Sequence, residues 1–252
     1  MIDIKQVSKQ YDNQPVLQNI CETLPSSGIT SIIGPNGAGK STLLSVISRL
    51  LKADSGVVTV DALDVSDANS EKLAKVLSVL RQENHFTSRL TVWDLVSFGR
   101  YPYSKGRLNE NDRQHIEQSL AFLDLLPLRH RYLDELSGGQ RQRAFVAMVL
   151  CQDTQYVLLD EPLNNLDMKH SVAMMKQLRR AADQLEKSIV LVIHDINFAS
   201  AYSDFILAMK DGQVVFRGTP EQVMVPEVIE QIFDLPVTVE QVNGQRNAMY
   251  YR

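Results

Sequence analysis

The sequence predicts an α/β fold with a mainly parallel core sheet, some antiparallel β elements and an inserted helical subdomain. Three observations carry that prediction. Short β-branched apolar runs recur with helix-period stretches between them, the pattern of a parallel sheet. From about residue 84 to 154 the apolar residues repeat at helical spacing. Near the C-terminus two strand-like runs flank a Lys-Asp-Gly turn, which reads as a hairpin.

In chain order, ITSII (29–33) is a β-branched run ending at Gly34, and KSTLLSVISRLL (40–51) sets Leu43, Leu44, Ile47, Leu50 and Leu51 on one helical face. That is strand, tight loop, helix. NENDRQHIEQSLAFLDLL (109–126) opens on Asn109 as an N-cap and repeats Ile116, Leu120 and Leu123. YVLLD (156–160) and SIVLVIHD (188–195) are two buried-type strands, and the helix between them turns Val172, Met175, Leu178, Ala182 and Leu185 toward a core. FILAMKDGQVVFRG (205–218) is the hairpin. TPEQV (219–223) starts a helix with Thr219 as cap, Pro220 in the first turn and Gln222 closing a capping box. No internal repeat or low-complexity tract interrupts this order.

A chain of 252 residues is one large domain, or one domain carrying an inserted subdomain, with a sizeable core. Its net charge of −4 argues against a nucleic-acid coat. The longest apolar run, AFVAMVLC (144–151), falls far short of the roughly 20 residues that cross a bilayer. The N-terminus has no apolar signal core, so a cytoplasmic location is expected. The two cysteines, Cys21 and Cys151, read as plain buried thiols.

The chemistry concentrates in a few stretches. GPNGAGKST (34–42) is a complete phosphate-binding loop: Gly34, Gly37 and Gly39, with Pro35, Asn36 and Ala38 between them, let backbone amides converge where a helix N-terminus already favours anions. Lys40 suits β- and γ-phosphate oxygens, Ser41 suits Mg²⁺, and Thr42 supports the phosphates from the next position. At the end of YVLLDE, Asp160 is placed to face that Mg²⁺ and Glu161 to polarise an attacking water. His194, after the strand IVLVI, suits a γ-phosphate contact that holds the water in line. His85, His115, His130 and His170 lack ligand spacing and are assigned to neither metal nor catalysis.

A second glycine turn, LSGGQRQR (136–143), leads into a helix whose Ala144, Ala147, Met148 and Cys151 share a face. Its free amides and the Ser137 hydroxyl again suit an anion. With no lysine after its glycines and no strand directly before it, this turn can grip a terminal phosphate only if something else holds the nucleotide.

GPNGAGKST, Gln82, LSGGQ, YVLLDE, Asp167 and His194, in this order, resemble the nucleotide-binding subunit of an ABC transporter, over essentially the whole chain. The resemblance implies a P-loop NTPase of the ABC-type ATPase class that uses ATP and Mg²⁺. It also implies a head-to-tail dimer in which the glycine turn of one copy closes over the ATP held by the other, so two composite sites form. Carried over by residue, Tyr11 resembles the aromatic that stacks on adenine, although an isolated aromatic there also suits packing. Gln82 resembles the glutamine that contacts Mg²⁺ and water while sensing the transmembrane partner. Ser137, Gly138, Gly139 and Gln140 resemble the turn that contacts the γ-phosphate in trans, and Asp167 the aspartate that crosses the dimer interface. Where the family often has Ser-Ala-Leu-Asp, this chain reads NNLD, Asn164 to Asp167. An added amide at that boundary leaves the coupling between sites open.

TVWDLVSFGRYPY (91–103) and EPLNNLDMKH (161–170) look most similar to ATPases of bacterial ferric siderophore importers, the catecholate branch among them. Haem and vitamin B12 importers are near relatives, and a soluble ABC-type assembly factor is the alternative class. On the importer reading the partners are a second copy of the chain, permease subunits and, indirectly, a substrate-binding protein. The location is then the cytoplasmic face of the bacterial inner membrane, held there by the permease. Phe86, Trp93, Tyr101 and Tyr103 could line a groove for a permease helix, while Trp93 and Phe98 equally suit a core.

Overall fold

The computed structural model describes residues 1–82 and 88–250. The chain opens on β1 (Ile2–Tyr11) and β2 (Gln14–Leu24), then runs through β3 (Gly28–Ile33), α1 (Lys40–Ile47), β4 (Ser55–Val60), β5 (Leu63–Asp64), the short α2 (Ser70–Leu73) and β6 (Leu77–Leu80). Next come α3 (Val92–Ser97), α4 (Tyr101–Ser104), α5 (Glu110–Phe122) and α6 (Gly138–Cys151). β7 (Tyr156–Asp160), α7 (Met168–Gln184), β8 (Ser188–Val192) and α8 (Ile196–Tyr202) then alternate. The chain closes with β9 (Phe205–Lys210), β10 (Gln213–Gly218), α9 (Pro220–Val223), α10 (Pro226–Phe233), β11 (Thr238–Val242) and β12 (Gln245–Met249).

The central sheet has the order β10-β9-β3-β8-β7-β6, and every pairing in it is parallel except β10 with β9. A second, antiparallel sheet, β2-β1-β4-β5, covers one side. Successive residues of the central strands feed two separate cores. Ile29, Val157, Leu159, Ile189 and Leu191 join the core on the side of α6 and α7, while Ile32, Leu158, Val190 and Val192 join the core shared with α1 and the antiparallel sheet. Burial on both faces is why these strands read as unbroken apolar runs.

Because β6 and β7 are parallel neighbours, the segment holding α3 to α6 is an enlarged crossover between them. Its inner residues, among them Leu95, Val96, Ile116, Leu120, Leu123, Val146 and Ala147, are fully buried. Asn109 caps α5 as expected, and Asp112 completes the capping box. Asp112 does more: its other oxygen takes a 3.1 Å bond from Arg100 Nε, and Arg100 also donates to the Cys151 carbonyl at 3.0 Å. Both charged side chains are buried, so the pair fastens α4 and α5 to the end of α6.

The hairpin of β9 and β10 turns at Asp211 and Gly212, both at positive φ, and Gln222 accepts the Thr219 amide at the start of α9. Several expectations need correction. α1 stops at Ile47 because Arg49 turns left-handed (φ 58°) and sends its guanidinium to the Ala68 carbonyl and the Ser70 hydroxyl, which leaves Leu50 exposed and Leu51 partly buried. Leu185 falls just past α7 and is exposed, and Val172 is half-buried. Cys21 is exposed, since the alternation of β2 turns Ile20, Glu22 and Leu24 inward instead. Trp93 is partly buried against the core, whereas Phe98, Tyr101 and Tyr103 are exposed. His85, Phe86 and the start of the expected 84–154 insertion lie outside the described residues.

Candidate active site

β3 delivers the loop 34–42 at its C-terminal end, where ligands gather in parallel sheets. Gly34 (φ 142°) lies flush on the Met209 carbonyl and leaves no room for a side chain; Gly39 (φ 95°) caps α1 against the Val16 carbonyl. Lys40 follows as the first residue of α1 and is buried, its ammonium donating to the carbonyls of Gly34 (2.9 Å) and Pro35 (2.8 Å). Burial holds its pKa below the ordinary 10.5, with Glu161 and Asp160 pulling the other way. A desolvated ammonium in a glycine cradle is a site shaped for an anion.

Ser41 Oγ donates to Asp160 Oδ1 at 2.8 Å. Burial raises the Asp160 pKa and the neighbouring Glu161 adds to it, against the Ser41 hydrogen bond and the charge of Lys40. One hydroxyl and one carboxylate make a partial set of hard oxygen donors. That fits Mg²⁺, which is commonly held by one or two protein oxygens with phosphates and water completing the shell.

Glu161 sits just past β7 at φ 49°, a left-handed conformation uncommon for a non-glycine residue. Its Oε2 accepts a 2.7 Å bond from Gln82 Nε2, and its Oε1 lies 2.7 Å from His194 Nε2. Asn164 Nδ2 approaches the same carboxylate at 3.4 Å. The ends of the adjacent strands β6, β7 and β8 thus bring together all three residues expected to act in catalysis. Glu161, Asn164, Asn165, His194 and Phe198 line a cleft of about 290 Å³.

The second glycine turn stands apart. Ser137 caps α6: its Oγ accepts the Gln140 amide at 3.3 Å and Gln140 Oε1 accepts the Ser137 amide at 3.0 Å. No hydrogen bond among the described residues joins Ser137–Gln140, or Tyr11, to the loop 34–42. Tyr11 is half exposed, with the Lys9 ammonium 5.7 Å from its ring centre. Asp167 caps α7, accepting the His170 amide at 2.8 Å.

His170, assigned above to neither metal nor catalysis, is a neighbour of this turn. The His170 imidazole meets Asp167 Oδ1 at 2.7 Å and lies where a Cβ on Gly139 would be, 2.6 Å from its Cδ2. The position of His170 three residues after the capping aspartate was the one available signal.

A parallel sheet carrying a phosphate loop on its central strand, with a buried Asp beside that loop and a Glu-Gln-His cluster on the neighbouring strands, defines a nucleoside-triphosphate hydrolase of the P-loop class. The model of the ABC transporter family matches residues 17–164. The petrobactin import ATP-binding protein YclP of Bacillus subtilis (strain 168) is 53% identical over 251 residues, covering 100% of each chain. FatE of Bacillus anthracis, also named for petrobactin import, is 56% identical over 239 residues, covering 95% of this chain and 96% of its own. Among solved structures, the post-hydrolysis dimer of the ATP-binding cassette MJ0796 with ADP and Pi superposes with a TM-score of 0.78 at 28% identity, covering 87% of this chain and 99% of that one. The chain belongs to the ABC transporter family and is an ATP-binding, ATP-hydrolysing member of it.

Proposed function

We propose that this ATPase powers the import of a ferric siderophore through a membrane permease. The observation that carries the reading is the end-to-end identity above 50% to two proteins named for petrobactin import. No helix among the described residues is long and apolar enough to cross a membrane, so the pathway for cargo belongs to partner subunits. Those partners are permease subunits at the inner membrane, with a substrate-binding protein beyond them. The exposed Tyr101 and Tyr103 offer contact surface for the permease.

The whole chain, 1–252, acts as one ATPase domain with the insertion of about 84–154 inside it. Two copies pack head to tail, a reading supported by the dimeric relative. Residues Gly34 to Thr42 hold the triphosphate, with Lys40 on its β- and γ-oxygens and Tyr11 against the adenine. Ser41, Asp160 and Gln82 would hold Mg²⁺, which supplies charge neutralisation at those oxygens. Glu161 takes the proton of the attacking water, and His194 and Gln82 keep its carboxylate aimed. Ser137, Gly138, Gly139 and Gln140 of one copy close on the γ-phosphate held by the other, beside Asp167.

The test is to purify the tagged chain from gently solubilised membranes of its host, identify what accompanies it, and measure ATP-driven uptake of ferric petrobactin in vesicles containing the complex. A polytopic permease in roughly equal amount, with uptake lost in Lys40→Ala, is the expected result. Recovery with soluble proteins alone would remove the transport reading and leave a cytosolic ABC-type ATPase.

A further inference from the structure

We propose that His170 is a positioning residue that ties Asp167 to the Gly138–Gly139 turn, so that the segment after Glu161 governs the grip which α6 offers to a second copy. The proposal rests on the composite-site reading above. Segment 161–170 is a continuous physical connection. At one end Glu161 takes the 3.4 Å contact from Asn164. In the middle, the Asn165 carbonyl lies 3.8 Å from where a Cβ on Gly138 would sit. At the far end the His170 ring carbons occupy the space beside Gly139, with Cδ2 and Cγ at 2.6 and 2.8 Å from a Cβ there.

The ring therefore does two things at once. Its edge fills the space that a side chain at Gly139 would need. Its Nδ1 and the residue's own amide both engage Asp167 Oδ1, at 2.7 and 2.8 Å, which holds an otherwise exposed carboxylate in one orientation. The backbone contact alone would be enough to start α7. The ring contact adds a link across to another helix, and that link is what the proposal assigns to function. Asp167 and the Gly138–Gly139 turn then present to the second copy as one rigid surface, and a change at Glu161 reaches it through Asn164 and Asn165.

The variants are His170→Ala, which removes ring and donor, and His170→Asn, whose side-chain amide can replace Nδ1–H toward Asp167. Three quantities are measured on the full chain: Tm, the affinity of the dilute monomer for a fluorescent ATP analogue, and ATP-driven dimerisation by sedimentation in the Glu161→Gln background. His170→Ala is expected to leave monomer affinity within about two-fold and to weaken dimerisation by about 5–100-fold, the range of coupling between distinct sites. His170→Asn is expected to recover most of that loss. The proposal is overturned if His170→Ala dimerises like its parent, if His170→Asn is equally impaired, or if monomer affinity falls in step with dimerisation. Failure of the Glu161→Gln parent itself to dimerise with ATP would instead overturn the composite site, and this inference with it.

Discussion

Lys40 illustrates how a single buried charge is made to wait for its ligand. Its depressed pKa means that the ammonium costs folding stability below the folded value, and the cost fades as pH rises from there toward 10.5. Phosphate oxygens reverse this balance and raise the pKa. ATP binding is therefore expected to take up protons in the alkaline range below 10.5, measurable by calorimetry in two buffers of different ionisation heat. Zero uptake across that range would assign the phosphate contact to another group. Glu161 supports the second prediction at this scale. Glu161→Gln should slow single-turnover hydrolysis by about 10² to 10⁴ while nucleotide binding persists. Near-parental turnover in a folded variant would take the general-base role from it. The loop 34–42 and the Asp160–Glu161 pair were legible because their chemistry is written in contiguous residues. His170 was not, because what matters about it is a contact with Gly139 on a different helix.

Among the elements, the helical insertion hangs on the buried pair of Arg100 and Asp112. Removing one partner leaves the other charge buried without compensation, so Asp112→Ala should destabilise the protein by about 3–5 kcal/mol in urea unfolding. Replacing both residues by apolar side chains of similar size should recover most of that loss. A cost under about 1 kcal/mol for the single change would mean that Arg100 finds water instead. The cap at Asn109 was readable, since Asn followed three residues later by Asp is a local pattern. The ion pair was not readable, because Asp112 looks like a cap residue and nothing more. The end of α1 was misjudged for a related reason. Helical spacing continues through Leu50 and Leu51, but Arg49 leaves the helix for carbonyls and a hydroxyl beyond β5. The alternation that exposes Cys21 was visible in β2, yet thiols are so often buried that composition outweighed pattern.

At the scale of the whole molecule, each chain carries a phosphate loop and a glycine turn that no hydrogen bond among the described residues joins. A mixture of two inactive proteins should therefore regain activity. Pair a Lys40→Ala chain with a Ser137→Arg chain: each homodimer lacks a complete site, whereas the mixed dimer has one site built from the intact loop of one and the intact turn of the other. ATPase activity that appears on mixing supports composite sites, and activity that never exceeds the sum of the parts contradicts them. The parallel sheet and its inserted helices were legible from periodicity alone, but the strand order was not, because pairing partners lie far apart in the chain. That order has a further consequence. β3, which bears the phosphate loop, is flanked by β8 and β9. On a ribosome adding about 5–20 residues per second, β3 emerges on the order of 10–30 s before both flanking strands exist. During that interval its two edges lack their native partners. The phosphate loop at the end of β3, whose Gly34 rests on the Met209 carbonyl, thus gains its full support only after the strand that ends at Lys210 has been made.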